Sequence, residues 1–385
     1  MEFAINQNLL KEELSFVQGI VERKATIPVL SNILIESVGE GTIRMTGTDL
    51  DVTIRCEAEA DIRKSGAICV SARKLFDIVR LLDGGSIHFV KEENEWVRLS
   101  CGKSKFRLAG VNKEQYPEVP SFKSAPLKMS AVTFNKFIQN TAFAITNEQS
   151  RFTLSGAKFV MKEGVAKMVT TDGHRLAYIE QKISGKSEEI DCLIPKKALT
   201  ELTKISKNSE EDISFGEDQN HIYFEVEGRL LITRKLAGTF PNYEMVIPRD
   251  NDKKAIFDVD EMRAAVRRVS LMADERARSI KFIIKEGEVE IVAQNSDDGE
   301  GQERVAADYS GPEVTIGFNS QYLQDFLSVA AGVFEESPNE DGEGKKTISK
   351  ARVSFEFKDG NSQTQMSVSG SNEYDYKYIV MPLRI

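Results

Sequence analysis

The residues that come nearest to a reactive constellation in this 385-residue chain are Thr171-Asp172-Gly173-His174-Arg175-Leu176. Asp172 and His174 have the types of a general base and an orienting carboxylate. Such a pair needs a nucleophile, a metal set or a second acid, and none accompanies it. There is no G-x-S-x-G, no H-E-x-x-H and no Walker-type phosphate loop. Asp-Gly between two strand-like runs is also a favoured hairpin turn. A third reading makes it a binding surface, on which His174 and Arg175 are bulky donors following a tight turn. The earlier segment Thr48-Asp49-Leu50-Asp51 has the same start but no histidine.

Metal chemistry is poorly supplied. Cys56, Cys69, Cys101 and Cys192 form no C-x-x-C pair, and with only three histidines a His/Cys cage is hard to assemble. Reduced, mostly buried thiols are expected, with no metal and no cofactor. The run Ile379-Val380-Met381-Pro382-Leu383 is apolar where chain ends are usually polar. It reads either as a last strand packed into its own core or as the wall of an adaptable apolar pocket.

Four landmarks recur along the chain and define the elements that must hold these residues. Leu10, Leu14 and Val17 share a helical face, as do Phe134, Ile138 and Thr141, and Met262, Val266 and Val269. An Asp turn follows a strand at Met45–Leu50 and Met168–Gly173, and more loosely at Ile291–Asp297. Cys69–Phe76, Cys192–Leu199 and Ile316–Leu323 each run from a strand into a second helix. Tyr116-Pro117, Phe240-Pro241 and the terminal Met381-Pro382 close the three copies.

Separations near 124 at several landmarks mark three tandem domains, expected at 1–124, 125–250 and 251–385. Each is predicted to hold two helices and six to eight strands, an α+β class with helices packed on antiparallel sheets. The acidic segment 335–346 breaks the pattern and predicts a mobile solvated loop. No run of apolar residues reaches membrane-spanning length, and residues 1–6 lack a secretion pattern, so a cytoplasmic location is expected.

The net charge of −9 argues against phosphate binding until it is sorted by element. Over the expected helices 8–24, 71–82, 131–146, 195–207, 259–273 and 319–332 the balance is +6, leaving −15 for the rest. Solvated surface cations are one account of that split. The other is a basic helical face on an acidic body, suited to holding phosphates.

G-T-D-L at 47–50, A-R-K at 72–74, T-D-G-H-R-L at 171–176, F-P-N-Y at 240–243 and V-M-P-L-R at 380–384 together resemble the bacterial DNA polymerase III beta subunit family, the sliding clamps. The resemblance spans the whole chain. It implies a non-catalytic, head-to-tail homodimer closing into a six-domain ring around duplex DNA, with helices lining the hole. It implies tethering of the replicative polymerase, the clamp loader and repair proteins through short linear motifs, with no membrane partner. By position it offers Lys24, Arg73, Arg151 and Lys196 for DNA. For a peptide pocket it offers Leu154, Thr171, Gly173, His174, Arg175, Leu176, Pro241, Val246, Val380, Met381, Pro382, Leu383 and Arg384. For the subunit contact it offers Phe106, Leu108, Leu271 and Met272.

Overall fold

In the first and third repeats, strand ends double as helix caps. The computed structural model describes all residues except 22–25, 121–124, 149, 184–188, 296–298, 333, 339–345, 351, 369–373 and 385. The strand Glu2–Asn6 runs directly into helix α1 (Gln7–Ile20), and the Asn6 side chain accepts from the Asn8 and Leu9 backbone N–H groups. Ser71 caps α2 (Ala72–Val79) in the same way. Helices α3 (Ala131–Thr141) and α4 (Lys196–Ser206) follow the strands Leu127–Ser130 and Ile190–Pro195. Asp258 and Asn319 cap α5 (Val259–Val269) and α6 (Ser320–Ala330). Each cap satisfies backbone donors that the first helical turn leaves open, a contribution of about 1 kcal/mol.

The helical spacing read from the sequence is the spacing that is buried. Leu10, Leu14, Val17, Phe134, Ile138, Thr141, Met262, Val266 and Val269 all lie in the interior. Two large antiparallel sheets, of 13 and 12 strands among the described residues, carry the rest of the core. The chain divides into two compact units, Met1–Asn135 with Ile194–Leu236, and Lys136–Leu193 with Ala237–Ile385.

Within each unit a sheet passes from one repeat into the next. In the first, Arg229–Arg234 pairs with Val52–Glu59, with Leu230 opposite Arg55 and Thr233 opposite Val52. In the second, Asp375–Val380 pairs with Arg175–Lys182, from Arg175 opposite Val380 to Glu180 opposite Asp375. Side chains reinforce the first crossing. Arg229 bonds Glu12 and Glu13 of α1 and lies 4.4 Å from the Phe16 ring centre, and Lys197 of α4 pairs with Asp49.

Three expectations need correction. The described residues hold nine strands in 1–124 and ten in 251–385, against eight in 125–250. The first surplus arises because the run Val52–Glu59 is interrupted at Ala60 and resumes as Asp61–Lys64, which pairs with Glu2–Ala4. The second comes from the acidic segment. Its ends belong to a two-stranded ladder, Phe334–Pro338 against Lys346–Lys350, rather than to a loop. Composition concealed this because Lys346-Thr347-Ile348-Ser349-Lys350 alternates like a strand beside its acidic neighbours. Residues 339–345 of that segment lie outside the described residues.

The third correction concerns charge. The observed helices are shorter than expected, and their balance is −1 on α1, +1 each on α2, α3 and α5, +2 on α4 and −1 on α6, a net +3. Half of the expected surplus sits beyond the helix ends, at residues such as Arg80 and Lys207.

Candidate functional site

The two Asp turns are built alike. After the strand Thr42–Thr48, Asp49 Oδ1 accepts from the Asp51 and Val52 backbone N–H groups, and Thr48 Oγ1 from that of Leu50. After Val165–Thr171, Asp172 Oδ1 accepts from the His174 and Arg175 N–H groups, and Thr171 Oγ1 from that of Gly173. The residue between them is left-handed in both, at φ +80° for Leu50 and +89° for Gly173. Thr171 opposite Leu176 closes the second turn as a hairpin. Asp172 is therefore spent on turn geometry, and its carboxylate bonds backbone N–H groups and Arg175 rather than the His174 ring.

Arg151 is drawn into the same turn. Its Nη1 donates to the Asp172 carbonyl at 2.5 Å, and its Nε pairs with Glu148 at 3.1 Å. A Cβ on Gly173 would stand 2.7 Å from that Nη1, so glycine serves both the backbone angle and the guanidinium.

Arg175 is almost wholly buried, with 8% of its side chain exposed. Nε meets Asp172 at 3.0 Å, Nη1 meets Asp325 of α6 at 2.6 Å, and Nη2 donates to the Phe143 carbonyl at 2.8 Å. The Tyr322 and Phe143 ring centres lie 4.5 and 5.6 Å from its guanidinium carbon. Burial alone would lower its pKa. The Tyr378 hydroxyl and Asp325 more than reverse that, so the pKa is raised and the cation is locked. Tyr378 donates in turn to the Tyr322 carbonyl at 3.0 Å.

Above this cage lies a small apolar pocket of about 110 Å³, lined by Leu154, Thr171, Gly173, Arg175, Leu176, Pro241, Tyr243, Val246, Ile379 and Met381. Eight of these were expected from the sequence. Tyr243 and Ile379 were not, although Tyr243 ends the Phe240-Pro241-Asn242-Tyr243 motif. Val380, Pro382, Leu383, Arg384 and His174 are not among the lining residues. Strand alternation explains the exchange of Val380 for Ile379, because neighbouring residues point to opposite faces. Both readings of the terminal run hold in part. Ile379 and Val380 are buried in the last strand, the Met381 N–H donates to the His174 carbonyl, Leu383 bridges to Gly317, and Met381 also faces the pocket. His174 stacks on Tyr322 with centroids 6.5 Å apart. Met245, beside the pocket, is 81% exposed.

The remaining residues singled out by the sequence are scattered. Lys24 lies outside the described residues. Arg73 is exposed on α2 and meets Asp77 at 3.6 Å, and Lys196 is half-buried at the start of α4. Phe106 and Leu271 are exposed and Leu108 and Met272 half-exposed, so plain core packing does not describe them. All four cysteines are buried. Among the described residues no group of three or more His, Cys, Asp or Glu could hold a metal, and no helix is long and apolar enough to cross a membrane.

Three α+β domains, each with two helices on antiparallel sheets, form a DNA-clamp fold. Residues 1–120, 128–242 and 244–333 match the N-terminal, central and C-terminal domains of the DNA polymerase III beta subunit. The beta sliding clamp of Pseudomonas putida is 31% identical over 392 residues, and that of Caulobacter vibrioides 32% over 394, each covering both chains fully. A crystal structure of the DNA polymerase III subunit beta from Pseudomonas aeruginosa superposes with a TM-score of 0.90 at 29% identity, again over both whole chains. A DnaN sliding clamp from Bartonella birtlesii bound to griselimycin does so at 0.89 and 30%. The chain belongs to the DNA polymerase III beta subunit family. It is a replicative sliding clamp, a non-catalytic processivity subunit.

Proposed function

We propose that two copies of this chain close head to tail around duplex DNA and hold partner proteins by short apolar peptide motifs. The observation that carries this reading is a pair of open strand edges. Residues 104–109 of Ser104–Val111 pair only with Trp96–Cys101, and residues 299–306 of Gly299–Asp308 pair only with Glu288–Asn295 among the described residues. In repeat order these are the counterparts of the two edges that are joined within the chain at Leu230 opposite Arg55 and at Arg175 opposite Val380. Carrying the first register across the repeat puts Phe106 of one copy opposite Gln302 of the other, and Leu108 opposite Glu300.

The charges on these edges are complementary. Lys105 and Arg107 lie on one strand, and Glu300 and Glu303 on the other. The exposed Leu271 and the half-exposed Met272, whose side chain covers Gly301, supply apolar surface beside the second edge. Similar interfaces repeated with a closing rotation give a ring rather than a filament.

The pocket supports the second half of the reading. Its lining is apolar and its small volume suits one or two inserted side chains, with Met381 as an adaptable wall. The replicative polymerase, the clamp loader and repair proteins are the partners this implies. Lys24, Arg73, Arg151 and Lys196 remain DNA-facing assignments, although the Arg151 contacts with Asp172 and Glu148 favour a turn-supporting role for that residue.

Retention on DNA tests the encircling reading. After loading, the protein should stay with nicked circular plasmid through gel filtration and run off linearised plasmid. Equal loss from both would sink it.

A further inference from the structure

We propose that Tyr243 sets the depth of the apolar pocket, so that the ring at this position decides how large an anchoring side chain the pocket accepts. This rests on the peptide-binding reading above and names what that site selects.

The two sheet crossings carry equivalent segments that pack differently. Tyr116-Pro117-Glu118-Val119 and Phe240-Pro241-Asn242-Tyr243 stand 124 positions apart, which makes Val119 the counterpart of Tyr243. In the first repeat the Tyr116 hydroxyl donates to the Thr46 carbonyl at 3.0 Å and ties its segment to the sheet. Val119 then packs on both sides of the first crossing, against Leu34, Cys69 and Tyr116 and against Tyr223, Leu230 and Ile232. A short side chain here lets the chain's own backbone lie close to the strands.

The second crossing has a ring at each of the two positions. Arg55 and Tyr178 stand six residues after the Asp of their respective turns, opposite Leu230 and Lys377. Tyr243 lies over Tyr178 with ring centroids 6.0 Å apart and planes inclined by 39°, and Phe240 meets Tyr243 edge-on at 6.3 Å. A pair of rings needs more room than a valine beside a guanidinium. The pocket is the space that remains beside that pair, with Leu176, Ile379 and Met381 among its other walls.

Tyr178 is a fixed floor for the pair. It is buried, its hydroxyl donates to Glu180 Oε2 at 2.5 Å, and Glu180 meets Lys167 at 3.2 Å. Lys377 Nζ lies 5.5 Å from its ring centre. Burial, then the bond to Glu180, push the Tyr178 pKa well up, so the hydroxyl remains a donor. Met381 can adapt its shape, but a ring resting on a pinned ring cannot sink further. An apolar cavity of about 150 Å³ holds one benzene ring. At about 110 Å³ this pocket fits a branched aliphatic side chain and rejects an indole by overlap.

The test uses the full-length protein and a fluorescent clamp-binding peptide made with either Leu or Trp at its apolar anchor, read by polarisation. Wild type should bind the Leu peptide about tenfold more tightly than the Trp peptide. Tyr243→Ala should abolish or reverse that preference, chiefly by tightening the Trp peptide about tenfold. Tyr243→Phe keeps the ring and should keep the wild-type ratio. Tyr243→Leu still covers Tyr178 and should shift the ratio in the direction of alanine, which keeps the test decisive if the alanine variant does not fold. A wild-type ratio in the alanine and leucine variants, with both peptides weakened equally, would overturn the proposal and leave the pocket reading standing. So would a phenylalanine variant that behaves like alanine, or a wild type that binds both peptides equally. A wild type that binds neither peptide rejects the pocket reading itself and the proposal with it.

Discussion

Arg175 Nη1 stands 2.6 Å from Asp325 Oδ2, joining the strand that walls the pocket to helix α6 across 150 positions of sequence. The same guanidinium meets Asp172 at 3.0 Å. One buried cation thus holds together the Asp turn, the pocket and the second helix of the third repeat. A residue can line a binding pocket and still be committed almost wholly to structure.

That commitment predicts a large effect. Arg175→Ala leaves Asp172 and Asp325 facing each other without their shared cation, and breaking a buried pair in this way costs about 3–5 kcal/mol. Urea denaturation should show a clearly lower midpoint. Arg175→Lys should fall between, because an ammonium cannot reach both carboxylates and the Phe143 carbonyl in one plane. A wild-type midpoint in the alanine variant would contradict the cage.

The paired turns predict opposite signs for two substitutions. Leu50 has φ +80°, a conformation costing an L residue about 1–2 kcal/mol. Leu50→Gly relieves that at the expense of chain entropy and should raise the midpoint slightly, by up to about 1 kcal/mol. Gly173→Ala should lower it and should also weaken peptide binding, because the new methyl group displaces Arg151. Thermal melts of both variants decide the matter.

Stability should also fall at both pH extremes for identifiable reasons. Burial tends to raise the Asp218 pKa, but the Tyr223 hydroxyl and the Asn220 and His221 N–H groups hold it down to about 2. A depressed carboxylate stabilises above its unfolded value, about 3.9, and that contribution is lost as pH falls toward 2. Asp218→Asn should therefore flatten the acid limb of a midpoint-versus-pH curve. Burial, then the Glu36 and Glu95 charges, push the Cys69 thiol up to about 12. Its contribution is complete below the unfolded value, about 8.5, and is lost as pH rises through 12. Cys69→Ala should flatten the alkaline limb.

In the terminal run, pocket lining separates neighbours that composition treats alike. Met381 faces the pocket, whereas Leu383 bridges to Gly317 through its backbone. Met381→Ala should weaken a clamp-binding peptide about tenfold or more, and Leu383→Ala much less. Fluorescence polarisation with a labelled peptide reads both. Equal losses would return the run to a single undivided surface.

The single tryptophan reports on the open edge. Trp96 is opposite Ala109, on a strand whose residues 104–109 have no second partner among the described residues, and the Arg107 guanidinium lies 4.6 Å from its ring centre. Trp96 emission should change on dilution through the dimer constant. A Phe106→Asp, Leu108→Asp double variant should stay monomeric by sedimentation. An invariant spectrum together with a dimeric double variant would place the contact elsewhere.

The fold was largely legible because its signals are local. A strand and a 3.6-residue apolar stripe lie within twenty positions, and they recur three times. The pocket was partly legible for the same reason, since Leu176 and Pro241 sit in recognisable motifs. For Arg151 the resemblance offers a DNA contact by position, while its bond to the Asp172 carbonyl, 21 positions away, has no local sign in the sequence. Asp325 gave no sign of its role, since its bond to Arg175 exists only once the chain has folded back. The helix charge was overstated because amphipathic spacing continues past the last hydrogen-bonded turn, as at Arg80 and Lys207.

The passage of each sheet from one repeat into the next has a consequence for evolution and for engineering. Repeats two and three each lend a strand to the repeat before, which leaves the first repeat's lending edge and the third repeat's receiving edge without a partner among the described residues. Closure depends on the accumulated turn per repeat. A substitution that alters the angle at the 52–55 or 175–180 crossing by a few degrees would leave the pairing itself intact. In place of the proposed ring, the product would then be an open helical polymer.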